Sequence, residues 1–301
     1  MTFTLRQLEI FLVIAQTENI SNAAQLLHMS QSAASGALKT LEDQYGIALF
    51  DRQGKRLRLS EFGRSIRAEA EALLQQAKAL QRKFAGKGNF GPLAVGATQT
   101  IGHYLLVDLY ASFHLQNPDV PVSFHVANTR EICSKVLNFD LDIGLIEGEV
   151  NHSQLVIQNW QHDELVVFTT PEHPLVLSGK ETLSDEDLCS VPWILREPGS
   201  GTRQAFDSAM RGLLPEMHIA LEVQHAEAIK RAVSLQMGLG CLSRIALAND
   251  FEEGRFVPLK VEHRDLSRRL SIVRHCDKAP SASAEAWIRT CQACFSDNKD
   301  L

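Results

Sequence analysis

Residues 19–45 read Asn19-Ile-Ser-Asn-Ala-Ala-Gln-Leu-Leu-His-Met-Ser-Gln-Ser-Ala-Ala-Ser-Gly-Ala-Leu-Lys-Thr-Leu-Glu-Asp-Gln-Tyr45. The spacing predicts two helices joined by a short turn. Ser21 is suited to cap the first, whose apolar residues Ile20, Ala23, Ala24 and Leu27 keep helical spacing; His28 and Met29 turn the chain and Ser30 caps the second. In the second helix Ala34, Leu38, Leu41 and Tyr45 form one stripe. Ser32, Ser35, Gly36 and Lys39 face the other way, and Gln31 projects from the N-terminal end. A helix whose first turn offers Gln and Ser, with no bulky or acidic group, can enter a major groove and hydrogen-bond base edges and phosphates.

The flanks fit that reading. Before the pair, Thr4 starts a helix with Leu5, Leu8, Phe11, Leu12 and Ala15 as its buried stripe, a third helix for the pair to pack on. After it, residues 49–59 form a hairpin pattern with a basic tip, where Arg52, Lys55, Arg56 and Arg58 make a wing suited to phosphates. The net charge of −6 is unevenly distributed. Residues 1–90 carry 12 Lys and Arg against 8 Asp and Glu, a net of +4, so the basic charge sits with the helical pair and the remaining residues are acidic.

The order Leu5-Arg6-Gln7-Leu8 and Phe11, then Asn22-Ala23-Ala24, Ser30-Gln31-Ser32-Ala33-Ala34-Ser35, Leu49-Phe50-Asp51-Arg52 and Glu61-Phe62-Gly63 resembles the LysR-type transcriptional regulators. The match is colinear across the first sixty-odd residues. Many members carry Arg or another long side chain where this chain has Gly36, so no base contact carries over at that position. From the resemblance, Gln31, Ser32, Ser35 and Lys39 are expected to meet the DNA groove, and Arg52, Lys55 and Arg56 its phosphates.

From Ser60 to about Lys87 there is no Pro, and Ile66, Ala70, Leu73, Ala77, Leu80 and Phe84 step as a coiled-coil seam. A long lone helix cannot bury such a seam; it packs either on its own chain or on a second one. The resemblance implies a linker helix that pairs two subunits. Gly86-Lys87-Gly88-Asn89-Phe90-Gly91-Pro92 then breaks the helix as a hinge.

Beyond the hinge, short apolar runs alternate with helical patterns. Strands are expected at Leu93–Ala97, Val120–Val126, Leu141–Ile146, Leu155–Trp160, Leu165–Thr169, Trp193–Leu195, Ile219–Val223, Gly240–Ser243, Phe256–Leu259 and Leu270–Arg274. Helices are expected at Ile101–Gln116, Arg130–Asn138, Thr202–Leu214, Ala226–Met237 and Ser283–Cys294. The fold class is therefore α/β with largely parallel sheets. The resemblance makes the whole an N-terminal winged helix-turn-helix (1–59), a linker and dimerisation helix (60–87), a hinge (88–92) and a periplasmic-binding-protein-like effector domain (93–301). Its subdomain I would be 93–162 with 268–301, and its subdomain II 163–267.

Two stretches fit a ligand site. Gly96-Ala97-Thr98-Gln99-Thr100-Ile101-Gly102 ends a strand and begins a helix with two hydroxyls and an amide. Arg196-Glu197-Pro198-Gly199-Ser200-Gly201-Thr202-Arg203 frees the backbone to approach a ligand before the next helix. Both offer hydroxyls and N–H groups for a carboxylate or oxyanion. The candidate effector residues are Thr98, Gln99, Thr100, Asn128, Thr129, Glu147, Ser200, Gly201, Thr202 and Arg203. The hydroxyls also fit ordinary helix caps. Glu147 would repel an anion unless it is protonated, paired with Arg203 or His103, or bound to a cationic part of the ligand.

Residues 142–148, 163–168, 192–197 and 238–244 resemble a branch of the family linked to sulfur oxyanions and cysteine metabolism. That resemblance implies a small anion such as sulfite or sulfate; a carboxylate or amino-acid-like metabolite is the alternative. An α/β enzyme using the same cleft is the rival from another class, but no Gly-x-Ser-x-Gly elbow, nucleotide loop or metal motif is present. Six cysteines include one C-x-x-C, Cys291 and Cys294, without a second pair to complete a zinc site. No metal or cofactor is expected. Partners are double-stranded DNA, the effector and further copies of the chain, up to a tetramer. No apolar run near ~18 residues and no secretory start point to the cytoplasm rather than a membrane.

Overall fold

The computed structural model describes residues 2–53, 56–84 and 90–294. The chain divides into two compact units, Met1–Gly91 with Cys276–Ala282 and Pro92–His275 with Ser283–Leu301.

In the first unit, α1 (Leu5–Thr17), α2 (Ile20–Leu26) and α3 (Gln31–Tyr45) precede a hairpin of β1 (Phe50–Gln53) and β2 (Arg56–Leu59), followed by α4 (Glu61–Phe84). Thr4 and Gln7 form a reciprocal capping box at the start of α1. Asn19, not Ser21, caps α2: its Oδ1 accepts from the N–H groups of Ser21 and Asn22, placing Ser21 inside the helix. Ser30 caps α3 through Ala33 N–H, and Gly46 ends it at φ 64°. Phe11, Leu12, Ala23, Ala34, Leu38, Leu49 and Phe50 share one core. Leu5 and Tyr45 leave their expected stripes and are exposed, because each sits at a helix end beyond the three-helix contact.

The expected seam on α4 divides. Ala70 is buried and Ile66 packs with it against the three-helix core, together with Leu74. Leu73, Leu80 and Phe84 remain 39%, 52% and 83% exposed. The hinge residues 86–89 and Lys55 lie outside the described residues.

The second unit begins with β3 (Leu93–Thr98), α5 (Gln99–Tyr104), α6 (Leu106–Gln116), β4 (Val122–Ala127), α7 (Thr129–Leu137), β5 (Ile143–Glu147) and β6 (Leu155–Thr169). It continues through α8 (Pro174–Leu177), β7 (Thr182–Leu183), α9 (Asp185–Ser190), β8 (Pro192–Arg196), α10 (Gly201–Ala209), β9 (His218–Val223) and α11 (Ala226–Ser234). The last elements are β10 (Leu239–Ser243), α12 (Arg244–Glu252), β11 (Val257–Val261), β12 (Ser267–His275) and α13 (Ala282–Ala293).

The sheet order is β4-β3-β5-β12-β6-β10-β8-β9, with β11 also paired to β6. At one end β4, β3 and β5 run parallel, as do β9, β8 and β10 at the other. Between them β6 and β12 run antiparallel to each other and to their outer neighbours. The expected strands at Leu155–Trp160 and Leu165–Thr169 are one strand: the polar stretch between them, which reads as a loop, pairs through its backbone with Ser267–Leu270. β6 changes partners after Glu164, from β12 to β10 and β11.

The expected helix Ile101–Gln116 is two helices, broken at Leu105, which lets Leu106, Leu109 and Phe113 enter the core. The expected helix over 202–214 ends at Ala209, and that over 226–237 at Ser234. α8, α9, α12 and β7 are additional. α12 escaped the helical pattern because its buried residues are Ala246, Leu247 and the acidic Asp250, which form no apolar stripe.

Candidate functional site

The first candidate surface is the outward side of α3. Gln31, Ser32, Gly36 and Lys39 are exposed, and Ser35 is half-buried at the helix flank. Ser32 Oγ lies 3.0 Å from Ser30 Oγ, within the cap itself. Gly36 leaves open space where a Cβ would stand, so nothing steric excludes a longer side chain there. In the adjacent hairpin Arg52 faces Leu57, and Gln53 faces Arg56, across an antiparallel register, which places Arg52 and Arg56 on the wing.

The second candidate site lies where β3, β5, α7 and α10 meet β12. Glu147 ends β5 and Arg268 begins β12 one residue in; both side chains are 1% exposed and their Oε2 and Nη1 atoms are 2.7 Å apart. Glu147 Oε1 accepts from Thr100 N–H at 2.8 Å, and Oε2 accepts from the Thr202 hydroxyl at 3.2 Å. Arg268 also donates to Thr202 Oγ1 at 2.8 Å, to Thr100 Oγ1 at 3.3 Å and to Asp163 Oδ2 at 2.7 Å. Ser243 donates to the other Asp163 oxygen at 2.8 Å. Burial pushes the Glu147 pKa up, but the Arg268 guanidinium, with the hydroxyls of Thr98 and Thr100 and the charge of Arg196, overrides it and holds the carboxyl below its usual range. The Arg268 pKa is raised: burial disfavours its charge, and the two carboxylates outweigh that effect.

Thr129 ties the edge of this cluster together. Its hydroxyl donates to Glu147 O at 3.0 Å and accepts from Gly201 N–H at 3.1 Å. Gly201 is required here, since a Cβ would stand 2.1 Å from Glu147 O. Asn128 caps α7 and donates through Nδ2 to Glu197, which is paired with the buried Arg196. The side-chain amide of Gln204 clasps residue 149, accepting from its N–H at 3.1 Å and donating to its carbonyl at 2.8 Å.

Thr98 and Ser200 stand at helix starts without serving as side-chain caps. Both are 2% exposed. Thr98 Oγ1 lies near the Glu147 carboxylate without hydrogen-bond geometry, and Thr98 Oγ1 and Gln99 Oε1 are buried and make no hydrogen bond among the described residues. Arg203 is held elsewhere, by Asp207, Glu222 and the Arg196 carbonyl. Glu147 is therefore ionised and paired with Arg268, not with Arg203 or His103. An open cavity of about 470 Å³ adjoins the cluster, lined in part by Thr129, Arg130, Ser200, Arg203 and Arg211.

Arg268, Asp163 and Ser243 escaped the reading of the sequence. One signal was available: Arg268 shares strand parity with the apolar Leu270, which marks a charge turned inward. The C-x-x-C lies in and beside the α13 core, where burial pushes the Cys291 thiol far above its ordinary range and disfavours the reactive thiolate.

Residues 5–64 match the model of the bacterial regulatory helix-turn-helix proteins of the lysR family, and residues 86–295 match the LysR substrate binding domain. The chain belongs to the LysR family. It is a DNA-binding transcriptional regulator carrying an effector-binding domain, in a family of regulators rather than enzymes. This LysR-family chain is 38% identical over 291 residues to the uncharacterized HTH-type transcriptional regulator YeiE of Escherichia coli strain K12, covering 97% of the chain and 98% of YeiE. It is 31% identical to the HTH-type transcriptional regulator CysL of Bacillus subtilis strain 168, covering 88% and 89%. A full-length OxyR variant from Pseudomonas aeruginosa shares its fold with a TM-score of 0.75 at 24% identity, covering 96% of this chain and 95% of that one. Among the described residues no helix is long and apolar enough to cross a membrane.

Proposed function

We propose that this regulator takes a small anionic effector in the cleft around Thr98, Gln99, Thr100, Asn128, Thr129, Glu147, Ser200, Gly201 and Thr202, with Arg268 as its central cation and Arg203 as a support for α10. The observation that carries this reading is that Thr100 N–H, the Thr202 hydroxyl and Arg268 already hold a carboxylate, so the donor set is built for an anion. The cavity beside Ser200 and Arg130 gives a route of entry. Within this reading the effector domain works as two subdomains, 93–162 with 268–301 and 163–267, hinged where β6 and β12 run side by side. The resemblance to the sulfur-linked branch favours sulfite or sulfate, and Glu147 favours a ligand with a positively charged group, such as an amino-acid-like metabolite.

On the DNA side, Gln31, Ser32, Ser35 and Lys39 read the major groove while Arg52, Lys55 and Arg56 hold phosphates. Two copies pair through Leu73, Leu80 and Phe84 of α4, which leave apolar surface for a partner helix. Dimers then assemble into a tetramer in the cytoplasm, and closing the cleft resets the spacing of the recognition helices. The coupling is reciprocal: an anion that weakens or strengthens DNA binding is itself weakened or strengthened by DNA.

The test is a thermal-shift series on the full chain with sulfate, sulfite, phosphate, small carboxylates and O-acetylserine, alongside Thr202→Val. At least one anion is expected to stabilise the wild type and to do so less in the variant. A folded protein that ignores the whole series would remove the anion site.

A further inference from the structure

The three donors that carry the anion reading, Thr100 N–H, Thr202 and Arg268, are already used by Glu147. Oε1 takes Thr100 N–H, and Oε2 takes Arg268 and Thr202. An anion that takes over these donors leaves a carboxylate, 1% exposed, without a donor of its own. A buried charge in that condition is heavily penalised.

The buried cations beside Glu147, Arg268 and Arg196, are already engaged, and Arg130 is exposed in the lining of the adjoining cavity. Arg268 on β12 is shared between Glu147 and Asp163 of β6, so this buried group of three carries a net charge of −1. Arg196 of β8, also buried, is neutralised by Glu197. Arg203 of α10 is engaged by Asp207 and Glu222. The remaining groups that face Glu147 are hydroxyls, those of Thr98, Thr100 and Thr202.

What the cluster offers in surplus is acceptors. Besides the displaced carboxylate, Gln99 Oε1 is buried and receives no hydrogen bond. The Thr98 hydroxyl, 2% exposed and making no hydrogen bond, remains as the one free donor beside Glu147 among the described residues. Building on the anion-site reading, we propose that Glu147 selects the effector by its hydrogens: the site admits an anion that brings an acidic hydrogen of its own and rejects one that has none. The anionic oxygens take Thr98, Thr100 N–H, Thr202 and Arg268, while an O–H or N–H of the ligand donates to Glu147. The class comprises hydrogen oxyanions, such as hydrogen sulfite and hydrogen phosphate, and ammonium carboxylates. Fully deprotonated sulfate falls outside it, because it would set bare oxygens against a bare carboxylate.

Sulfate and phosphate make a matched pair of probes, since they share shape and size but at neutral pH only phosphate keeps a proton. Calorimetric titration of the full chain with sulfate, phosphate, hydrogen sulfite and O-acetylserine tests the proposal, in the wild type and in Glu147→Gln and Glu147→Asp. The wild type is expected to bind at least one proton-bearing probe about 10- to 100-fold more tightly than sulfate, the range of a hydrogen bond to a buried charge. Glu147→Gln, whose amide can also donate, should close that gap, and Glu147→Asp should keep it. A preference for phosphate and hydrogen sulfite identifies the O–H as the donor, and a preference for O-acetylserine identifies the ammonium. Equal affinity for sulfate and the proton-bearing probes in the wild type would overturn the selection while leaving an anion site, as would a preference that survives in Glu147→Gln. Binding of none of the four by the folded wild type and the folded Glu147→Asp would overturn the anion site and the selection with it.

Discussion

The outward face of α3 and the cluster around Glu147 are both polar, yet they treat polar groups in opposite ways. Gln31 and Lys39 are exposed and make no side-chain hydrogen bond or ion pair among the described residues. Glu147, Arg268 and Thr202 are buried and fully engaged with one another. On the proposed reading, a surface that meets a long external polymer keeps its hydrogen-bonding groups uncommitted, whereas a site for a small molecule holds its groups in an arrangement the ligand must rearrange. The two regions should therefore respond differently to substitution, one in affinity alone and the other in folding as well.

The largest effect is expected from Arg268→Ala. It strips Glu147 and Asp163 of their common cation and should lower the unfolding free energy by about 3–5 kcal/mol, the usual cost of breaking a buried pair. Urea denaturation reads this directly; a loss below about 1 kcal/mol would mean that the cluster is not the locked region described. Ser35→Asp is the counterpart on α3. It should weaken operator binding by roughly 100-fold, since a carboxylate there faces phosphates, while thermal stability stays within about 0.5 kcal/mol of the wild type. A large loss of stability would blur the contrast between the two regions.

A third effect depends on pH. The folded pKa of Glu147 is depressed, so its contribution to stability is present above its unfolded value of about 4.3 and is lost as pH falls through the folded value. Melting temperatures followed from neutral pH to about pH 3 should fall more steeply for the wild type than for Glu147→Gln; parallel curves would show that the carboxylate is not held ionised. The smallest effects belong to α3. Lys39→Ala should reduce the slope of log affinity against log salt by about 0.9, the share of one phosphate contact. Gly36→Arg, entering open space, should raise that slope by a similar amount without loss of fold.

The same contrast explains what could be read in advance. The three N-terminal helices follow from local signals: Thr4, Asn19 and Ser30 cap helix starts, and Phe11, Ala23 and Leu38 fall on short-period stripes. Even the cap of α2 differs from the expected Ser21 by only two positions, at Asn19. Thr98, Thr100, Ser200 and Thr202 are legible as strand-to-helix junctions for a similar local reason. Arg268 is not, because its partners Glu147 and Asp163 are 121 and 105 positions away and no local pattern brings them together. The sequence therefore offers Arg203 or His103 only as one of three ways to satisfy Glu147, beside protonation and a cationic ligand, and the structure pairs it with Arg268 instead. β6 reads as two strands in the sequence for a related cause: its polar middle is justified only by a strand more than 100 residues later in the chain, whose first residues, 267 and 268, pair with 164 and 163.

The place of β12 between β5 and β6 also bears on how the protein is made. The ribosome finishes β5 and β6 long before it delivers residues 267–275, so the nascent chain holds two strands that lack the neighbour they will eventually share. Unpaired strand edges of this kind invite wrong pairing, and late, long-range insertion slows folding. The N-terminal helices can settle as soon as they emerge, but the sheet of the effector domain is completed by the last strand among the described residues. A chain stopped short of residue 267 would thus carry the elements of its DNA-reading helices and an unfinished sensor.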